Sequence, residues 1–138
     1  MSRPVVSLPR ALRSAIVSQA RAAAPRECCG LLVGAGLTVR FAVPVANTAR
    51  GTSRYCVDPR SHLLWQRALR AVVPALGVIG AYHSHPAGRP SPSARDVREA
   101  RDPRWLHVIV VGNAATRPRF GAFRIVDGRV ERLALRWR

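Results

Sequence analysis

A chain of 138 residues, 48% of them apolar, can fill one hydrophobic core and is too short for two ordinary domains, so one site is expected in a single domain spanning residues 1–138. No run approaches the roughly 20 apolar residues of a membrane helix, and Met1 to Pro9 lacks the apolar segment of about 7 to 15 residues that marks a signal peptide, so a cytoplasmic protein with no membrane partner is expected. The formal charge is +16, its 23 basic residues are all arginine, and their spread from Arg3 to Arg138 without a dense tract argues against nucleic acid as the main partner.

In chain order, Pro4 to Leu8 reads as a short strand. Pro9 to Ala23 reads as an amphipathic helix, with Leu12, Ala15, Ile16 and Ala20 near helical spacing and arginines between them. Cys29 to Val33, Leu37 to Val45 and Ser53 to Val57 are strand candidates, because apolar and β-branched residues cluster between glycine and polar turns. Asp58-Pro59 opens a second helix, with Asp58 as cap and Leu64, Trp65, Ala68, Leu69 and Val72 as its expected buried stripe.

Gly77 to His83 is a buried-strand candidate that runs into the proline-rich loop Pro86 to Pro92. Ser93 then caps a helix through about Ala100, with Asp96 at capping-box spacing. Leu106 to Val111, Phe120 to Val126 and Val130 to Leu135 complete the strands, the last two joined through Asp127-Gly128. The pattern is α/β in the α+β sense, a compact domain with a mixed or largely antiparallel sheet flanked by helices. Cys28, Cys29 and Cys56 show neither even pairing nor CxxC spacing, so reduced thiols are expected.

The chemistry concentrates in His83-Ser84-His85. Side chains two apart on a strand face the same way, so both imidazoles can meet one ion. Asp96, eleven residues beyond His85 in a first helical turn, offers a carboxylate from a second element. Two nitrogens and one oxygen leave a fourth tetrahedral position for water, the mark of a catalytic zinc. Singly, each residue has a plain structural use: Asp96 as a helix-start carboxylate, Ser93 as a cap, and His62 and His107 as packed or surface residues.

His83-Ser-His85-Pro86, six residues, then Ser93-Ala-Arg-Asp96 resembles the JAMM motif of MPN-plus metalloproteases. Glu27-Cys-Cys-Gly-Leu-Leu-Val-Gly34 looks like the segment that supplies that family's glutamate. Asn47 with Tyr55-Cys-Val-Asp58-Pro looks like the middle of its small bacterial members. The resemblance implies a cytidine-deaminase-like MPN/JAB fold, one Zn2+ held by His83, His85 and Asp96, Glu27 as general base toward water, and Ser93 as donor to the developing oxyanion.

It further implies a peptidase or isopeptidase that cuts the amide after the C-terminal Gly-Gly of a ubiquitin-like or sulfur-carrier protein, with release of cysteine as one form of the reaction. A basic enzyme meeting an acidic carrier should be salt-sensitive, and a strand edge near the site could bind the extended tail. The alternatives are a non-catalytic MPN interaction module and a nucleic-acid-associated protein resembling RadC, which carries a similar histidine and aspartate string.

Overall fold

The computed structural model describes residues 2–51, 54–112 and 117–138. Its elements are β1 (Val5–Leu8), α1 (Arg10–Ala23), β2 (Cys29–Ala35), β3 (Thr38–Val45), α2 (Pro59–Val72), β4 (Gly77–His85), α3 (Ala94–Glu99), β5 (Leu106–Val111), β6 (Arg119–Val126) and β7 (Arg129–Trp137). Hydrogen bonding orders the strands β3-β2-β4-β5-β6-β7-β1, and the curled sheet closes where β1 meets β3 at Ser7 and Thr38. The sheet is mixed: β4–β5 and β1–β7 run parallel, whereas β2–β3, β2–β4, β5–β6 and β6–β7 run antiparallel.

The central strands explain the near-continuous apolar runs in the sequence. Every residue of β5 is buried, as is β2 up to Gly34, because helices cover both faces there. On one face α1 contributes Ile16, Val17 and Ala20 to a core with Leu32, Tyr82 and Val108. On the other, Leu69 of α2 packs with Leu31, Val33 and Val78. The β6–β7 hairpin turns at Asp127 and Gly128, both at positive φ (50° and 75°), the conformation that the Asp-Gly pair suits.

Three expectations change. Residues 54–57 form no strand; they make one isolated bridge, Asn47 to Val57, because Asn47 captures this segment by side-chain hydrogen bonds, and Ser53 lies outside the described residues. β4 continues to His85, so both histidines sit on regular strand backbone. Of the stripe foreseen for α2 only Leu69 is buried, and Leu64, Trp65, Ala68 and Val72 are exposed. Only a narrow edge of α2 touches the sheet, so most of its remaining apolar side chains stay exposed among the described residues. Among the described residues, no helix is long and apolar enough to cross a membrane.

β4 and β5 approach so closely that a Cβ built on Gly80 would collide with the Leu106 carbonyl and side chain. Backbone cannot yield as a flexible side chain can, so Gly80→Ala is expected to destabilise the fold by about 1–3 kcal/mol. Urea titration of the variant against wild type checks this, and an unchanged midpoint would contradict the close approach.

Candidate metal centre

Strand alternation does what the His-x-His spacing predicts. His83, paired with Cys29 of β2 and Ile109 of β5, and His85, paired with Val111, present their imidazoles on one face, with Nε2 atoms 3.1 Å apart. The His85 Nδ1 lies 3.0 Å from the Arg89 carbonyl, so Nδ1 carries the proton and Nε2 offers a lone pair. Arg119 in turn donates to the Gly88 carbonyl at 2.8 Å, tying the loop after His85 to β6.

Asp96 comes from α3, and a capping box aims it. Ser93 Oγ accepts from the Asp96 backbone N–H at 3.1 Å, while Asp96 Oδ2 accepts from the Ser93 N–H at 2.8 Å. The same Oδ2 lies 3.4 Å from His83 Nε2 and 3.5 Å from His85 Nε2. Three donor atoms thus form a triangle with edges of 3.1, 3.4 and 3.5 Å. A tetrahedral ion with bonds of 2.0–2.1 Å needs ligand-to-ligand edges of about 3.3–3.4 Å, so the triangle fits one face of such a coordination shell.

Protonation agrees with geometry. Burial lowers the pKa of His83 and keeps its imidazole neutral. Burial opposes the ionisation of Asp96, but hydrogen bonding to His83 and His85 outweighs it and holds the carboxylate well below its usual range. For His85 burial also works against charge, yet Asp96 and the Arg89 carbonyl raise its pKa on balance. A neutral imidazole and an ionised carboxylate are the forms a metal needs.

Glu27, in the turn before β2, is only 7% exposed, and its carboxylate lies with the two imidazoles inside a cluster whose ligand atoms are all within 4.8 Å of one another. Burial pushes its pKa up to about 7, against the pull of His85 and Arg95. Ser93 is exposed, and because its Oγ accepts from Asp96, its own O–H is left to donate. The structure therefore gathers Glu27, His83, His85, Ser93 and Asp96, all five residues singled out in the sequence, from three elements.

The profile of prokaryotic homologs of the JAB domain matches residues 9–126. The chain belongs to the prokaryotic JAB family. Over 121 residues it is 35% identical to the CysO-cysteine peptidase of Mycobacterium tuberculosis, which spans 86% of this chain and 82% of the relative. The desampylase of Haloferax volcanii is 34% identical over 116 residues, covering 79% and 82% of the two chains. Among solved structures, protein DSY2949 from Desulfitobacterium hafniense superposes with a TM-score of 0.82 at 28% identity, covering 97% of this chain and 92% of its own. With relatives that are peptidases, this JAB-family chain is a hydrolase of that type.

Three residues complete this JAB-family site that the motif does not announce. Ser84, between the histidines, faces the opposite side, where its Oγ accepts from the Cys28 N–H at 2.8 Å while its own N–H donates to the Cys28 carbonyl. This pins the chain beside Glu27 to β4. Asn47 uses its full hydrogen-bonding capacity: Nδ2 donates to the carbonyls of Glu27 and Arg54, and Oδ1 accepts from the N–H groups of Ala49 and Cys56. It ties the segment 54–57 to the backbone of Glu27. Tyr55, carried by that segment, stacks on His83 with ring centroids 3.9 Å apart and planes 13° from parallel. Period-two alternation could have found Ser84; nothing local in the sequence signals the reach of Asn47 or Tyr55.

The remaining candidates stay outside the chemistry. His62 packs against Trp105, and His107 is buried with its pKa lowered to about 4 by burial. Burial raises the Cys28 thiol and pushes that of Cys29 up to about 12, so neither is primed as a nucleophile.

A carboxyl whose folded pKa stands above its unfolded value binds more protons in the folded chain, so its contribution to stability falls as pH rises from 4.5 toward 7. Glu27→Gln should therefore stabilise the metal-free protein at pH 8, on the order of 1–3 kcal/mol, and leave it little changed at pH 4. Chemical denaturation with chelator at the two pH values checks this; equal effects at both would contradict the buried, ionised Glu27.

Proposed function

We propose that this chain is a zinc-dependent peptidase or isopeptidase that hydrolyses the amide following the C-terminal Gly-Gly of a ubiquitin-like or sulfur-carrier protein, release of cysteine being one form of the reaction. The observation that carries it is the triangle of His83, His85 and Asp96 with Glu27 beside it. We assign one Zn2+ per chain to the three donors, one catalytic domain to the chain, and the reducing cytoplasm to the protein, in keeping with three free cysteines.

A divalent ion held there supplies Lewis acidity, lowering the pKa of water from about 15.7 to about 7 and polarising the scissile carbonyl. The residues of the chain do the rest. Glu27, buried and near neutral in pKa, accepts a proton from the attacking water and returns it to the leaving nitrogen, so the amine departs neutral. The Ser93 hydroxyl, already oriented by the Asp96 N–H, donates to the carbonyl oxygen as negative charge gathers on it. Tyr55 covers one face of His83 and excludes water from that side.

The substrate class rests on the relatives, one a CysO-cysteine peptidase and another a desampylase. The edge of β3 beyond Thr38 has no strand partner other than β2 among the described residues, and we assign to it the extended tail, added as a further strand. The formal charge of +16 favours an acidic carrier, whose encounter weakens with salt.

Elemental mass spectrometry on protein purified without added metal should find about one zinc per chain, lost in His85→Ala and in Asp96→Ala. Glu27→Gln should keep the metal and lose about 10²-fold or more of its activity on a Gly-Gly-linked substrate. A folded wild type that holds no metal and takes up no added zinc would sink the hydrolase assignment.

Because Glu27 must be ionised to act, kcat/KM should fall tenfold per pH unit on the acid side of a limb at or below pH 7, since a neighbouring cation can only lower a pKa of about 7. A pH profile that is flat between pH 5 and 8 would remove Glu27 from the role of base.

A further inference from the structure

Arg95 stands beside the site and takes no part in the chemistry described so far. It directly precedes Asp96 and follows Ser93 by two positions, so the capping box that aims Asp96 also fixes the backbone that carries Arg95. The side chain is half-buried, and its Nε donates to Glu99 Oε1 at 2.9 Å, one turn on. That bond holds one side of the guanidinium fork; the two terminal nitrogens have no partner among the described residues.

Arg95 is also near the proton carrier. Asp96 Oδ2 lies 3.4 Å from His83 Nε2, and the Glu27 carboxylate is within 4.8 Å of both imidazoles, so the residue next to Asp96 is within a side chain's length of Glu27. Of the charges that act on Glu27, His85 and Asp96 belong to the ligand set, and Arg95 is the one left over. In the proposed reaction water adds across the bond between the last glycine carbonyl and the leaving nitrogen: oxygen goes to the glycine, and Glu27 carries the proton to the amine. When the leaving group is an amino acid, its α-carboxylate carbon lies only two bonds, about 2.5 Å, from that nitrogen. A carboxylate brought so close to Glu27 meets a like charge and needs a cation there. A lysine ε-amine brings no such charge, since its own carboxyl is a peptide carbonyl at the far end of four methylenes.

We propose that the free end of the Arg95 fork receives the α-carboxylate of the leaving group, so that the site selects a carrier whose Gly-Gly is followed by a single amino acid, such as cysteine, over an isopeptide to lysine. This rests on the hydrolase reading above and names which form of the reaction the site favours. A guanidinium suits the task, because two parallel N–H donors match the two oxygens of a carboxylate and fix the plane in which it lies. Discrimination then comes from an interaction that only one class of leaving group can make.

The test varies the enzyme and the leaving group together. The substrates are one acidic ubiquitin-like sulfur-carrier protein ending in Gly-Gly-cysteine, the same carrier ending in Gly-Gly-cysteinamide, and the carrier joined to the ε-amine of Nα-acetyl-lysine amide. Wild type should prefer the acid to the amide and to the isopeptide by about tenfold or more in kcat/KM, mostly through KM. In Arg95→Gln the ratio of acid to amide should fall close to one; because it is a ratio within one protein, any effect of the substitution on Glu27 that both substrates feel cancels. Arg95→Lys, which keeps the charge and loses the fork, should fall between the two. Binding of the same conjugates to Glu27→Gln protein, with and without Arg95→Gln, gives the preference without cleavage and should show the same pattern. Circular dichroism and zinc content should be those of wild type in both Arg95 variants.

If wild type cuts acid, amide and isopeptide equally well, the role given to Arg95 is wrong and the hydrolase assignment stands. A preference for the acid that survives in Arg95→Gln and Arg95→Lys would place carboxylate recognition elsewhere and likewise overturn the proposal. If no conjugate is cut, yet the acid binds more tightly than the amide and loses that advantage with Arg95→Gln, recognition stands and the hydrolase assignment falls. No cleavage and no preference in binding would sink both.

Discussion

Two imidazole nitrogens and a carboxylate oxygen are held within 3.5 Å of one another in the interior, and so electron-rich a cluster is tolerable only opposite positive charge. Most of the local architecture keeps these atoms from moving apart. β4 fixes the histidines as a pair, the Arg89 carbonyl sets the tautomer of one, and the reciprocal Ser93 and Asp96 hydrogen bonds remove the freedom of the carboxylate. A proton shared at His85, whose pKa Asp96 raises, meets the need in part. A divalent ion held by His83, His85 and Asp96 would meet it fully.

The short helix α3 shows how one local device serves two purposes. At six residues it is too short to be stable alone, and its capping box supplies what hydrogen bonding its first turn can have. The oxygen of Asp96 that completes the cap is also the one that faces the histidines. A plain helix-start carboxylate and a metal ligand are therefore not competing descriptions of Asp96, since the cap sets the geometry that ligation would use.

Much of the fold was legible because period and punctuation are local properties. His83 and His85 could be placed on one face from alternation alone, and the Asp127-Gly128 turn and the Asp58-Pro59 helix start followed from backbone preference. Asp96 could be placed on a helix, but its approach to the histidines depends on the loop 86–92 folding back, tied by Arg119 to a strand over thirty residues away. Residues 54–57 carry strand-forming types and yet form no strand, because the side chain of Asn47 outcompetes ladder pairing for their backbone groups. For α2 the period was correct, but of the foreseen stripe only Leu69 turns inward: a helix apolar on more than one side has no unique inward face, and only the packing of Leu69 on Val33 and Val78 decides it.

Arginine has a further part beyond net charge. Arg26 reaches the Ala49 carbonyl, Arg119 that of Gly88, and Arg138 both the Val39 carbonyl and the Ser7 hydroxyl, so guanidinium forks tie together three loops and the seam of the sheet. A planar fork with five donors can bridge such groups where an ammonium would act as a point charge. With arginine at every basic position, the chain has no side-chain amine at all. Its surface therefore offers no side chain to which a carboxyl-terminal tag could be joined by an isopeptide bond, and only the α-amino group remains as an acceptor: under the function proposed above, the protein would process such a modification without becoming its substrate on a side chain.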